Sequence, residues 1–196
     1  MFPIVAFVTY VFVSCITPGP NNMMCMANGA KHGVKKSMPF CVGVSVGFSG
    51  VLVLSILCNL FLYAYIPSIV QVVTYLGVAY IFYLAWVVFR DKPKAKKKHK
   101  ITMDETSFFT AIVLQFVNPK AILFGMTLIS SFVFPYDQSV GAFLMVLAFN
   151  FVVVILCCGC WVLFGSAFQG FFQKHRTVLN GVMALLLVYC GITLVL

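Results

Sequence analysis

The chain has 196 residues, of which 62% are hydrophobic and 9% charged. A mean hydropathy of +1.06 is more than a soluble domain of this length can bury. It excludes an ordinary globular protein and leaves room for about six bilayer-crossing helices of about 20 residues each. The net charge of +9 does not indicate nucleic acid, because the basic residues fall in loops between apolar runs.

In chain order, the first predicted span runs from about Pro3 to Asn28 and is interrupted by Thr17-Pro18-Gly19-Pro20-Asn21-Asn22. It lacks a basic leader and a small-residue cleavage site, so it reads as a retained span. The second runs from about Pro39 to Ala64, and Pro67 opens a third that reaches Phe89. A basic stretch from Arg90 to Thr106 follows. The fourth span covers about Ser107 to Phe134 and is interrupted at Asn118-Pro119-Lys120. The fifth covers about Ser139 to Phe164 and the sixth about Thr177 to Leu196.

Basic residues set the orientation. Lys31, Lys35 and Lys36 follow the first span, Arg90 through Lys100 the third, and Lys174 and Arg176 the fifth. The loops after the second and fourth spans hold none. Short loops rich in Lys and Arg stay cytoplasmic, so six spans with both termini outside put every basic loop on one side. The Lys92–Lys100 run is also suited to anionic headgroups.

The expected fold is therefore an all-α polytopic membrane protein forming one transmembrane domain over residues 1–196. Cut in the 90–106 loop, it gives two three-span halves, about 1–90 and 107–196. Three is odd, so the halves face opposite ways as an inverted repeat. Each begins with a proline-broken span. Leu76-Gly77-Val78 and Asn180-Gly181-Val182 open the two third spans about one hundred residues apart, as are the breaks.

The breaks carry the functional expectation. Hydrocarbon satisfies no freed backbone group, so such interruptions persist only in protein or around a wet cavity. Paired ones are the best pointer to a transporter's substrate site. The first lies about 22 Å into its span and the second about 18 Å into its own, from opposite faces. Against a core of about 30 Å both fall in the middle third. Pro18 and Pro20 remove backbone donors and Gly19 accepts unusual angles, so the helix opens and carbonyls before it lose their partners. The amides at Asn21 and Asn22 then present a positive helix end suited to a carboxylate. Lys120 is the ionisable residue well inside a span, where a cation costs a few kcal/mol or more, so binding or coupling is its default role. Gln115 and Asn118 lie on neighbouring turns, facing the same expected cavity. The candidate substrate-binding set is Thr17, Pro18, Gly19, Pro20, Asn21, Asn22, Gln115, Asn118, Pro119 and Lys120. No catalytic, metal or cofactor site is expected.

Other features read more simply. The eight cysteines lie in apolar runs and act as small buried hydrophobes, with Cys157-Cys158-Gly159-Cys160 as packing filler before a metal site. Gly43, Gly47 and Gly50 permit close helix contact, within the chain or across a homodimer, with the first preferred. Tyr75, Tyr80, Tyr83 and Trp86 mix packing with interface anchoring. His32 and His99 are rim residues. Asn59, Thr127, Asn150 and Trp161 are within reach of a cavity, with no indication of which enter it. The predicted spans contain no Asp or Glu.

The whole chain resembles the LysE/RhtB family of bacterial amino-acid exporters. The resemblance is carried by Thr17-Pro18-Gly19-Pro20-Asn21-Asn22, by Leu76-Gly77-Val78-Ala79-Tyr80 with Tyr83-Leu84-Ala85-Trp86, and by Gln115-Phe116-Val117-Asn118-Pro119-Lys120-Ala121. Leu114–Asn118, Ile122–Gly125 and Ala184–Cys190 are most similar to its cysteine and O-acetylserine exporters. The resemblance implies an inner-membrane secondary transporter of small neutral amino acids driven by protons, with exporters of threonine or homoserine, leucine or lysine as the alternative. An embedded enzyme would need converging His, Asp, Glu or Cys groups, and the histidines sit in loops. A passive channel is the remaining alternative, separable by counterflow.

Overall fold

The computed structural model describes residues 2–62, 106–168, 170–171, 176–193 and scattered positions between 72 and 90. Among these residues the regular structure is entirely helical. The expected basic loop lies, from 91 to 105, outside the described residues, as do Pro67, Leu76, Gly77, Tyr80, Leu84, His99, Lys174 and His175.

Helix α1 (Ile4–Ile16) ends where Thr17 turns extended, at φ −61° and ψ 146°. Pro18 forces this, since the residue before a proline is driven out of the helical region. Helix α2 (Pro20–Leu62) then starts with proline at its first position, where no backbone donor is needed. It is kinked at Gly33, whose φ of 76° suits glycine, so that segments 20–32 and 34–62 are separate helical rods. The second rod therefore restarts right after Gly33 rather than at Pro39. Pro39 lies inside it, near its start.

The fourth span repeats the first break. Helix α3 (Phe108–Phe116) stops at Val117, and Asn118 is extended before Pro119 opens helix α4 (Pro119–Thr127). A π-helical turn, Leu128–Val133, continues α4, and the rods on either side of the break meet at 63°. Helix α5 (Val140–Ala167) starts at Ser139, whose hydroxyl accepts from the Ala142 amide, and helix α6 is Arg176–Thr193. Among the described residues two helices, Pro20–Phe61 and Val140–Ala167, are long and apolar enough to cross a membrane, and the bent pair adds a third if it is one span.

Two crossings set the packing. The first broken span runs beside α5: Phe7 meets Phe149, and Trp161 reaches Ile16. A methyl at Gly29 would overlap the Val162 carbonyl, and one at Gly165 the Met26 carbonyl. Segment 34–62 runs beside the other broken span. A methyl at Gly43 would overlap the Phe108 carbonyl, one at Gly47 would come within 2.8 Å of Ile112, and Gly50 faces Phe116. The glycine stripe is thus used within the chain. A second cluster joins Met23 to Ile81 and Ala85 of the third span and Ala184 of α6.

Polarity is inverted relative to a soluble protein. Val5, Phe61, Phe109 and Val140 are each more than 70% exposed, while Asn22, Asn59, Gln115, Asn118 and Asn150 are buried. An apolar exterior on this scale belongs in a membrane. Trp86 and Tyr83 are exposed, with the Arg90 guanidinium 4.3 Å from the Trp86 ring, an arrangement suited to a bilayer interface.

Candidate functional site

Both breaks meet in the interior. Lys120 occupies the second position of α4, where the positive end of its own helix repels a cation. Its side chain crosses to the far half instead. Nζ donates to the Thr17 carbonyl at 3.0 Å, the Thr17 hydroxyl at 2.9 Å and the Pro18 carbonyl at 3.4 Å. This is the negative end of α1, so charge and dipole agree. Gly19 makes the crossing feasible, because a methyl there would lie 3.0 Å from Lys120 Cδ and 3.1 Å from Nζ.

Asn21, second residue of α2, makes the reverse crossing. Its Nδ2 donates to Gln115 Oε1 at 2.6 Å, and Gln115 Nε2 donates to Asn21 Oδ1 at 3.2 Å and to the Ala111 carbonyl at 2.9 Å. Each broken span thus sends the second side chain of its post-break helix into the broken helix end of the other.

The sequence leads one to expect open carbonyls before the first break. The structure corrects this, since side chains repartner them. Thr17 Oγ1 donates to Ser14 O, and Asn22 Nδ2 donates to Cys15 O at 2.7 Å and Thr17 O at 2.8 Å. Trp161 Nε1 donates to Ile16 O at 3.1 Å. The cause is burial: an unpaired carbonyl away from water costs about 1–3 kcal/mol, enough to recruit donors from α2, α4 and α5. At the second break, Asn118 Oδ1 accepts from the Lys120 amide at 3.1 Å and caps α4.

Between the breaks lies a cavity of about 30 Å3, lined by Gly19, Pro20, Asn21, Asn22, Asn118 and Lys120. Room for a water needs about 10–15 Å3 on this measure, so the cavity is smaller than an amino acid and has to widen to take one. Both helix N-termini border it, the first through Pro20 and the second through Asn118 and Lys120. Thr17 and Pro18 serve as acceptors, Pro119 as the opener of α4, and Gln115 as the partner of Asn21. Gln115 stands behind the wall instead of lining it, which corrects its expected place.

The remaining wall is Ser14, Cys15, Val44, Phe48, Ala121, Phe124, Val154 and Cys158. Sequence reasoning misses these, because Phe, Val and Cys are too frequent here to stand out. Trp161, one of the residues within reach of a cavity, bonds to the break at Ile16 and is not among the lining residues. Cys25 and Cys41 face each other as thiols at 3.9 Å. Among the described residues, no group of three or more His, Cys, Asp or Glu side chains is placed to hold a metal.

A family model described as "LysE type translocator" matches residues 12–196. The chain is also 35% identical over 187 residues to proteins named "Cysteine/O-acetylserine efflux protein" from Escherichia coli (strain K12), Escherichia coli O1:K1 / APEC and Shigella flexneri. These matches cover 95% of this chain and 94% of each relative. No solved structure matches it.

Proposed function

The chain belongs to the LysE-type translocator family, and from that premise we propose that it exports small neutral amino acids, cysteine and O-acetylserine foremost, by proton-driven alternating access. Membership and the names of the relatives support a multi-pass membrane transporter rather than an enzyme. The substrate is drawn from those names. The single observation that carries the mechanism is the crossing of Lys120 Nζ to the Thr17 and Pro18 oxygens, which ties one broken span to the other.

The machinery is read as two inverted three-helix halves, about 1–90 and 107–196, joined by the 90–106 loop. The contact pattern supports this reading. The first broken span pairs with the fifth, and the fourth pairs with the second. An inverted repeat exchanges these two pairs with each other. Lys31, Lys35 and Lys36 beside the Gly33 turn agree with a cytoplasmic turn and outside termini.

Binding proceeds as an exchange of partners. The substrate carboxylate enters between the helix ends at Pro20 and Pro119 and draws the Lys120 ammonium to itself. The Thr17 and Pro18 oxygens so released take the substrate's own ammonium. One cation replaces another at the α1 end, so the site stays neutralised throughout. The exchange also breaks the tie between halves, which lets the small cavity widen toward one face. Lys120 is the cationic group lining the cavity, so it is the group to which proton coupling is assigned. Thr17 to Asn22, with Asn118, Pro119 and Lys120, form the substrate site in this reading, and Gln115 holds Asn21 in place from behind.

The test is export of labelled O-acetylserine, cysteine, threonine and lysine from cells with and without the protein, with an uncoupler as control. Faster, uncoupler-sensitive loss of the first two is expected. Selective loss of threonine or lysine would move the substrate to another branch of the family, and uncoupler-insensitive export would remove the proton.

A further inference from the structure

Asn150 sits mid-way along α5 at 0% exposure, and neither its amide nitrogen nor its oxygen has a hydrogen-bond partner among the described residues. Asn59, equally buried, at least donates to the Ser55 carbonyl of its own helix. A wholly orphaned amide in an apolar interior is destabilising and calls for a physical reason.

Its position supplies one. Four residues toward the N-terminus, Val146 lines a second cavity of about 590 Å3, bordered by Phe2, Tyr136 and Asp137 at the α5 N-terminal end of the molecule. Four residues toward the C-terminus, Val154 lines the central cavity. Residues four apart share a helix face, so Asn150 occupies the intervening turn, about 6 Å along the axis from each. The facing helix repeats the order: Phe7 in the outer cavity, buried Val11 in between, Cys15 in the central one.

A run of aromatic rings extends from one cavity to the other. Phe48 contacts Phe124 at 5.2 Å between centroids, Phe124 stacks on Tyr10 at 5.4 Å, and Tyr10 on Phe132 at 5.1 Å. Phe132 then meets Phe7 at 6.4 Å, and Phe7 meets Phe149 at 5.6 Å. The first two rings line the central cavity, and the last two line the outer one.

We propose that Asn150 is a second substrate contact, a relay between the central and outer cavities that takes the amino acid when the aromatic run parts. The proposal rests on the export reading. An amide offers a donor to the carboxylate and an acceptor to the ammonium without adding charge, which suits a small neutral zwitterion. Without such a contact, the substrate would cross about two helical turns of apolar wall with its charges unpaired.

The test uses the full chain in proteoliposomes, comparing the unaltered protein with Asn150→Leu, Asn150→Ala and Asn150→Gln. Three quantities are read: efflux of labelled O-acetylserine, its affinity from tryptophan fluorescence (Trp161 bonds to Ile16 at the first break), and the melting temperature in detergent. The leucine and alanine variants should slow efflux about tenfold with affinity unchanged. Glutamine should restore most of the rate, and leucine should not lower the melting temperature. Efflux at the unaltered rate by the leucine variant overturns the proposal. So does an equal loss of affinity and efflux, which would make Asn150 part of the central site, or a lowered melting temperature, which would make it structural. If the unaltered protein itself moves no labelled amino acid, the export reading fails instead.

Discussion

The two breaks are built alike and furnished differently. Each consists of an extended residue before a proline, followed by a helix whose second side chain reaches the opposite half. At the first break the crossing residue is Asn21, an uncharged amide that meets another amide. At the second it is Lys120, a cation that meets backbone and hydroxyl oxygens at the end of α1. The residue just before the post-break helix is glycine in one and a capping asparagine in the other. Local backbone chemistry therefore makes a break, while the side chain placed just after it decides what the break does. One half holds a charge and the other receives it.

That asymmetry gives the largest expected effect. Lys120→Met keeps the apolar stem of the side chain and removes the ammonium. Charge-assisted bonds are worth about 1.5–3 kcal/mol each, so export should fall more than about a hundredfold while the protein still reaches the membrane. Asn21→Leu removes neutral bonds worth about 1 kcal/mol, and about tenfold is expected. Labelled efflux normalised to protein in the membrane reads both. Equal losses would erase the distinction between the breaks, and full export by Lys120→Met would remove the lysine from the mechanism.

Where the two broken spans are packed alike, mutations should act alike. Gly29 and Gly165 hold the first broken span against α5, and Gly43 holds segment 34–62 against α3, each by a contact that a methyl would overlap. Alanine at any of the three should cost about 1–3 kcal/mol, read as lower melting temperature and yield. Alanine at Gly159, which has open space around it, should be neutral or stabilise by up to about 1 kcal/mol. A penalty confined to one pair would mean that the halves are not packed equivalently.

Much of this site is legible in the sequence because it rests on local rules. Prolines clustered with glycine or asparagine mark a broken helix, and a lysine in an apolar run is expensive in any fold, so Thr17–Asn22 and Asn118–Lys120 stand out from the residues alone. What they touch is not legible there. The partner of Lys120 depends on the register between spans about one hundred residues apart, and nothing in either stretch encodes that register alone. The Trp161 bond to Ile16 and the retreat of Gln115 behind Asn21 depend on it equally. The turn at Gly33 is hidden for another reason: Pro39 is the stronger breaker in isolation, yet the second rod runs through it.

Gly19→Ala isolates one element of the difference between the breaks. The added methyl would press on the flexible tail of Lys120 and on no backbone atom, so the fold should survive. Displacing Nζ by a few tenths of an ångström weakens its bonds to Thr17 and Pro18 without abolishing them. Export should drop several-fold, by about 1 kcal/mol, with the melting temperature nearly unchanged. A fall in stability matching that of Gly29→Ala would show that Gly19 serves packing instead.

The smallest effect belongs to a helix start remote from both breaks. Ser139 caps α5, and Asp137 Oδ1 accepts from the Ser139 amide at 2.8 Å. The Ser139 backbone and then its hydroxyl hold the Asp137 carboxyl below its ordinary value. A depressed carboxyl stabilises the fold above its unfolded-state value near about 3.9 and loses that contribution as pH falls through the folded value. The melting temperature should therefore sag slightly below about pH 4, and Asp137→Asn should flatten that part of the profile. Ser139→Ala should cost about 0.5–1 kcal/mol of stability and leave efflux intact. Asn118→Ala removes the corresponding cap at a buried break beside Lys120, and it should cost export as well. If both variants affected stability alone, the second break would be an ordinary helix start that happens to be buried, and the cap beside Lys120 would have no part in transport.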